Sequence, residues 1–363
     1  MSPARHLFPL LALFVRASTV QAQDTPAADT VRIRIVQNSG YDSTYVLDYT
    51  HIVTGRVYLS TKTNAFQLLD REAGEVLRYR PNNRVNLGLG ASYRAFTLNI
   101  GIGFGFLNRD APEKGDTDYL DAQLNYFSRR FATNVFFQVY RGYSIDAYTP
   151  RELGWESPYT RPYRADVFQA NAGISSLYIF NNQRFSYRAA FNQDAWQRRS
   201  AGSFLAGGYI TFYTLEGDSS LMPTALQQRF DPTLDFTGAN FLDLGVMGGY
   251  AHTFVVQDHW FLTLSAAAGV GGSTYSTSPD PVNGASTRGR LTPGYHAQFR
   301  SATGYNSRRT CVALSFNAEG VMCALGEAEA FQWTVGNLRF NVAHRFNTRV
   351  RQVDAVIRGI QDL

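Results

Sequence analysis

Apolar and polar residues alternate along most of this chain with a period of two. One such segment runs from Phe96 to Phe106, where apolar residues alternate with Thr, Asn and three glycines. Successive side chains of a β-strand point to opposite faces, so this segment predicts a strand with one apolar and one polar or bare face. The pattern recurs at residues 85–93, 120–126, 168–175, 262–271 and 337–346.

The length of these segments and the chemistry of their polar face favour a membrane barrel. A β-barrel crosses a bilayer with tilted strands of about 9 to 11 alternating residues. A soluble β-sandwich is the alternative, but its strands are typically about 5 to 6 residues long. The polar face here consists mainly of Asn, Gln, Ser, Thr and Gly. The pattern therefore predicts an all-β fold, a single transmembrane antiparallel β-barrel spanning residues 51–346.

Long and short connections alternate between the predicted strands, as they do between the external loops and periplasmic turns of bacterial barrels. We place long loops at 67–82, 107–116, 147–163, 215–238 and 273–289. Two strands can be read within 185–214, Phe185–Ala195 and Ser203–Thr214, yet the alternation allows one crossing there. We therefore expect about 12 strands, with part of Gln193–Gly208 bent or outside the barrel wall. A plain hairpin at this place is the alternative.

The two ends of the chain carry separate predictions. Residues 1–22 resemble a cleaved secretory signal, with Arg5 before the apolar run Leu7–Val15. Residues 23–50 are expected to form a short periplasmic segment. Residues 347–363 have rough helical spacing and predict a short helix. The predicted location is the outer membrane of a Gram-negative cell.

Composition narrows the class of protein and its partners. Of 363 residues, 14% are aromatic and 17% are charged, which excludes a disordered chain. The net charge is only +5, without a strong basic cluster, so nucleic acid is not an expected partner. We expect contacts with outer-membrane lipid and with the barrel-assembly machinery, and a small solute as a further candidate.

Cys311 and Cys323 are the only two cysteines. A straight strand would separate them by roughly 40 Å, at about 3.3 Å per residue, so a disulfide would require a hairpin at Asn317–Gly320. We favour two unpaired thiols that face lipid, with a disulfide as the alternative.

Motifs for catalysis or cofactor binding are absent from the sequence. No histidine or carboxylate pair has metal-binding spacing, and neither a Gly-x-Ser-x-Gly motif nor a phosphate loop occurs. We therefore expect no catalytic residue, no metal and no cofactor. An outer-membrane lipid-modifying hydrolase or transferase stays an alternative, with Ser200 or Ser203 as nucleophile. Adhesion or assembly through loops such as Gly154–Tyr159 is another.

Several polar residues are expected to face the barrel interior. One interpretation is that they satisfy one another's hydrogen bonds, because a barrel of this size is narrow and filled. The other is that they line a solute path or a small-ligand site. The candidates are Asp121, Arg188, Asp194, Gln197, Ser200, Ser203 and Arg339.

Short motifs in a defined order resemble one family. They are Tyr79–Asn83 leading into Leu87–Gly90, then Phe185–Tyr187, Gln197–Ser203 and Asp218–Leu221. Over residues 45–346 the chain resembles a Bacteroidota family of outer-membrane barrels that is catalogued only as a domain of unknown function. The resemblance implies fold and location but no activity. We therefore expect a narrow channel, a ligand-binding transporter or a structural membrane component.

Overall fold

The computed structural model describes residues 39–82, 85–94, 96–103, 115–155, 161–279, 287–288 and 291–350. The predicted signal peptide, most of the predicted periplasmic segment and residues 351–363 of the predicted C-terminal helix lie outside these ranges. Residues 347–350 are not helical. No helix in the described ranges has the length and apolar character needed to cross a membrane.

The described residues are mostly β-strand. One short α-helix, α1 (Tyr187–Phe191), and two 3-10 helices, Thr224–Arg229 and Pro232–Leu234, interrupt them. The strands are β1 (Val46–Asp48), β2 (Val53–Asp70), β3 (Glu75–Arg80), β4 (Val85–Tyr93), β5 (Phe96–Gly103), β6 (Asp118–Phe127), β7 (Phe131–Ile145), β8 (Tyr163–Ile179), β9 (Ala195–Gln197), β10 (Ala201–Glu216), β11 (Phe236–Val256), β12 (Trp260–Pro279), β13 (Thr287–Arg288), β14 (Thr292–Asn306), β15 (Thr310–Ala324) and β16 (Glu329–Phe346).

The long strands form a closed antiparallel barrel. Within the described residues, ten strands form the ring in the order β16, β15, β14, β12, β11, β10, β8, β7, β3 and β2, and β2 pairs back with β16. Three further strands extend it, since β4 and β5 follow β2, and β6 pairs with β7. The predicted all-β antiparallel barrel is confirmed. A wall of about twelve crossing strands stays a prediction.

Strands β3 and β4 behave as one strand interrupted near Pro81. Both pair with β2, through Phe66 with Tyr79 and through Thr61 with Val85, and the two registers differ by one residue. Proline has no backbone N–H and breaks a ladder at this kind of position. Beyond the interruption β3 pairs with β7, whereas β4 pairs with β5. The β5–β6 pair of strands therefore occupies only the end of the wall away from β3.

The predicted alternation is confirmed, with apolar side chains outside and polar side chains inside. Leu89, Phe204 and Val246 are 66%, 70% and 67% exposed on the outer face. In contrast, Gln138 and Asn64 are fully buried inside the barrel. This arrangement is the reverse of a water-soluble domain and is the pattern of a wall that faces lipid.

Two predicted segments differ in the structure. Residues 67–82, predicted as a long loop, are the end of β2, a tight turn and β3, so β2 is 18 residues long. Phe185–Ala195, which alternates like a strand, contains α1 instead. The chain crosses the wall once between 185 and 214, as β10, and the part outside the wall is 180–200 rather than 193–208.

One mouth of the barrel is covered by the loop at residues 217–235. Its apolar residues Leu221, Leu226 and Leu234 are fully buried in a cluster with aromatic side chains of the wall. The Tyr79 hydroxyl donates a hydrogen bond to the Leu221 carbonyl at 2.6 Å, and Arg164 donates to the Ser220 carbonyl at 2.8 Å. The wall therefore holds this loop inside the mouth.

Both cysteines are unpaired and lie on the inner face of β15. Each is 1% exposed, so the prediction of lipid-facing thiols is wrong. The continuous strand between them also rules out the hairpin that a disulfide would need. The outward-facing residues of β15 include Leu314 and Phe316, which are an odd number of positions away from both cysteines.

We expect both thiols to resist maleimide labelling in the folded barrel, because reagents reach only exposed thiols. A matched control is Gln228→Cys in the exposed part of the 217–235 loop, which should label fully under the same conditions. Mass spectrometry of the refolded and the urea-unfolded protein measures both. Rapid labelling of the native cysteines would contradict their placement inside the wall.

Candidate functional site

Residues 180–200 leave the wall between β8 and β10 and fold into the mouth opposite the 217–235 loop. We call this segment the plug. The wall is continuous behind it, because β10 pairs directly with β8 through Leu205 and Ile179. Ser186 caps α1 by accepting a hydrogen bond from the Ala189 N–H. The second strand of the plug, β9, pairs with β1, so residues before the barrel also contribute to this end.

A buried ion pair between Arg188 and Asp194 holds the plug in its shape. The guanidinium binds both carboxylate oxygens, at 3.1 and 2.5 Å. It also donates to the carbonyls of Phe127 and Arg94, at 2.7 and 2.6 Å. Burial alone lowers the pKa of Arg188, but the adjacent Asp194 carboxylate outweighs it and raises that pKa above its usual value. Arg188 therefore joins the plug to the ends of β4 and β6.

Two wall arginines, which the sequence analysis did not select, anchor the plug backbone. Arg345 on β16 donates to the carbonyls of Gln193 and Ala195, at 2.7 and 2.9 Å. Arg56 on β2 donates to the Asn192 carbonyl at 2.6 Å. Inward alternation on their strands was the available signal, but their plug partners are far away in sequence.

Gln197 is a fastener of the plug rather than a lumen residue. Its Oε1 accepts from the Ser186 N–H at 3.0 Å, and its Nε2 donates to the carbonyls of Arg184 and Arg199. All three contacts are with the plug itself. They keep α1 and β9 together.

Ser200 and Ser203 make backbone contacts where the plug joins β10. The Ser200 hydroxyl accepts from the Val255 N–H at 2.8 Å. The Ser203 hydroxyl donates to the Phe204 carbonyl at 2.7 Å and accepts from the Asn181 N–H at 2.9 Å. A nucleophilic serine requires a base within about 2.6 to 3.2 Å, and the hydrogen bonds between described residues supply none. These contacts give both serines a structural role.

Asp121 and Arg339 lie in the middle of the barrel, away from the plug. Asp121 is paired with Lys62, whose Nζ lies 2.9 Å from Oδ1, and it accepts a hydrogen bond from the Tyr140 hydroxyl at 2.9 Å. The Arg339 guanidinium lies over the ring of Tyr58, 4.4 Å from its centroid. Lys62 and Tyr58 are further residues that the sequence analysis did not select.

A row of inward residues crosses four neighbouring strands near Arg339. Register pairs Arg300 with Asn317, Asn317 with Asn337, and Asn337 with Lys62. Arg339 lies two positions beyond Asn337 and therefore on the same face. These residues are neighbours only because of strand register.

Two adjoining cavities lie along this row. The inner one is lined by residues that include Arg300, Arg339 and Asn337. The other has a volume of about 470 Å³ and also contacts Arg339. It reaches the outward-facing Leu98 and Leu124 between β5 and β6. The interior can therefore accommodate a small molecule even though both mouths are covered.

A matching family becomes clear from the sequence profile of residues 40–346. They match a family described as "Domain of unknown function (DUF4421)". The chain belongs to this family. The expected membership in an uncharacterised domain family is thereby confirmed, while an origin in Bacteroidota stays a prediction. No curated protein matches the chain.

Solved structures with similar topology are outer-membrane proteins. The outer-membrane protease OmpT of Escherichia coli is 8% identical, with 82% of this chain and 98% of that chain covered and a TM-score of 0.34. The toluene transporter TodX of P. putida is 7% identical, with coverages of 82% and 91% and a TM-score of 0.22. A FadL homologue of Pseudomonas aeruginosa is 9% identical, with coverages of 82% and 90% and a TM-score of 0.20.

Metal chemistry finds no support in the described ranges, where no group of three or more His, Cys, Asp or Glu side chains could hold an ion. The remaining polar centre is Glu319, whose Oε1 lies 2.8 Å from Nε2 of His296. Its Oε2 accepts from Asn134 and Gln298, at 3.3 and 3.4 Å. This cluster is a satisfied part of the interior.

Proposed function

We propose that this protein is an outer-membrane β-barrel of about twelve strands that is closed at rest by its plug and admits or binds a small solute. The observation that carries the proposal is a folded segment, the plug, seated in the mouth of a wall that is continuous without it. A purely structural barrel needs no such segment, because side chains alone can fill a narrow lumen.

The outward-facing side chains support the membrane location. Leu, Val, Ile and Phe residues dominate the exposed positions of the wall strands, and a soluble protein rarely exposes a continuous apolar surface of this kind. The predicted signal peptide would export the chain, and the assembly machinery would insert it. The short turns after β6, β11 and β14 then face the periplasm, together with the plug.

The charged contacts of the plug suit a gate. Arg188, Arg345 and Arg56 hold it through hydrogen bonds to carbonyls and one ion pair, rather than through a large apolar interface. Such contacts can be exchanged for water when the plug moves, since water satisfies the same groups. A rigid structural element would instead favour apolar packing.

Conductance of the refolded chain from residue 23 in a planar bilayer tests the gate. We expect the intact protein to be silent and a variant lacking residues 183–198, with Gly-Ser joining the ends, to conduct steadily. The deletion preserves the β8–β10 ladder, which begins at Leu205 and Ile179. The full-length variant Asp194→Asn should open intermittently, and it serves if the deletion fails to fold.

A deletion of the same kind in the exposed turn at residues 71–74 is the control, and it should stay silent. Silence of both plug variants, with β-structure verified by circular dichroism, would overturn the proposal and leave a filled structural barrel. The contacts of Ser200 and Ser203 give the lipid-modifying alternative no comparable support.

A further inference from the structure

Two arginines in the barrel interior have no counter-charge in contact. Arg300 is 5% exposed and Arg339 is half-buried. In the described part of the chain neither guanidinium has an ion pair or a hydrogen bond. Their ring contacts are with Phe127, 5.5 Å from Arg300, and with Tyr58. Burying a cation without a partner is costly, so the pair requires an explanation.

The nearest carboxylates are already engaged. Asp121 is held by Lys62 and Tyr140. Glu319 is held by His296, Asn134 and Gln298. Neither approaches an arginine within ion-pair distance in the described structure. The two guanidinium groups are therefore available to something that the chain itself does not provide.

Other unsatisfied donors line the same inner cavity. Nε2 of Gln138 and Nε of Arg339 are buried and have no hydrogen-bond partner among the described residues. Gln138, Arg300 and Arg339 all contact this cavity. Several donors and two positive charges thus converge on one enclosed space.

We infer that this cavity binds an anionic group, a phosphate or a carboxylate, between Arg300 and Arg339. The guanidinium fork matches the oxygens of both groups in geometry and charge. The inference deepens the proposed function, because it assigns a charge and a chemical class to the solute. It rests on that function only for transport, since binding itself does not require the plug to open.

The anionic group can belong to a soluble solute or to the head of an amphiphile. The larger cavity, which shares Arg339, reaches the outward-facing Leu98, Leu124 and Phe137. No ladder joins β5 to β6 among the described residues, so an alkyl chain could lie in this space while its head contacts the arginines. The same recognition chemistry serves both sources.

Titration calorimetry of the refolded protein in dodecyl maltoside tests the site with inorganic phosphate and with dodecyl phosphate. We expect saturable binding of at least one probe, and Arg300→Gln and Arg339→Gln should each weaken it by about tenfold or more. Arg300→Lys keeps the charge but loses the fork, so its binding should be intermediate. Phosphate binding identifies a soluble solute, and binding of dodecyl phosphate alone identifies an amphiphile.

Arg151→Gln is the matched control, since Arg151 is exposed in the loop after β7. It should leave the affinity unchanged. Absence of binding of either probe by the wild type, or equal affinities of wild type, Arg300→Gln and Arg339→Gln with native circular dichroism, would overturn the inference. A plug-deleted barrel that conducts without binding an anion would leave the proposed function intact, and anion binding without conductance would leave only the site.

Discussion

Arg188→Ala is expected to destabilise the folded barrel by about 3 to 5 kcal/mol, because it leaves the buried Asp194 carboxylate without its partner. The Asp194 side chain is 1% exposed in its ion pair with Arg188. The substitution also removes the donors to the Arg94 and Phe127 carbonyls. Urea unfolding in phosphatidylcholine vesicles, followed by tryptophan fluorescence, measures the change.

Arg184→Ala is the matched control in the same segment. Its ion pair with Asp42 is long, at 3.7 Å, and its side chain is 57% exposed. Exposed pairs contribute little to stability, so we expect little or no change. The double variant Arg188→Met with Asp194→Leu should recover part of the loss, because no charge is then left buried. Equal stability of Arg188→Ala and wild type would show that the plug contributes nothing to the fold.

Val246→Arg is expected to cost about 2 to 4 kcal/mol in a bilayer, the value for a cation at the midplane of a barrel's lipid face. Val246 lies in the middle of β11 and is 67% exposed on the outer face. In a water-soluble barrel the same exposed position would tolerate arginine. The free energy of unfolding in vesicles therefore tests the membrane location directly.

Val256→Arg supplies the depth control. Val256 ends β11 next to a short turn and is 61% exposed, so its exposure is similar but its predicted depth is not. Near the interface the cost of arginine falls to about 0 to 1 kcal/mol. Similar costs at both positions would contradict a bilayer centred on the middle of the strands.

Residues 185–195 show where local pattern reasoning fails. Their alternation resembles a strand, but Ser186 is followed by a helix whose residues are nearly all buried. Inside the barrel every side chain is enclosed, so the polarity of alternate positions no longer reports an inner and an outer face. The Ser186 N-cap was a visible signal for a helix that the alternation concealed.

The cysteines show the opposite case, in which the pattern held more information than the prediction used. Leu314 and Phe316 fix the outward phase of β15. Counting from them by two places Cys311 and Cys323 inside. The lipid-facing prediction was wrong although the residues themselves contained the answer.

The sequence by itself determined the antiparallel barrel and the polarity of its two faces, because alternation is a local property of a strand. Only the tertiary structure decided the bounds of the plug and the site at Arg300 and Arg339. Arg345 anchors Gln193 across 152 residues, and Arg300 reaches Lys62 through three strand registers. Such contacts depend on register and closure of the whole ring, which no local period encodes.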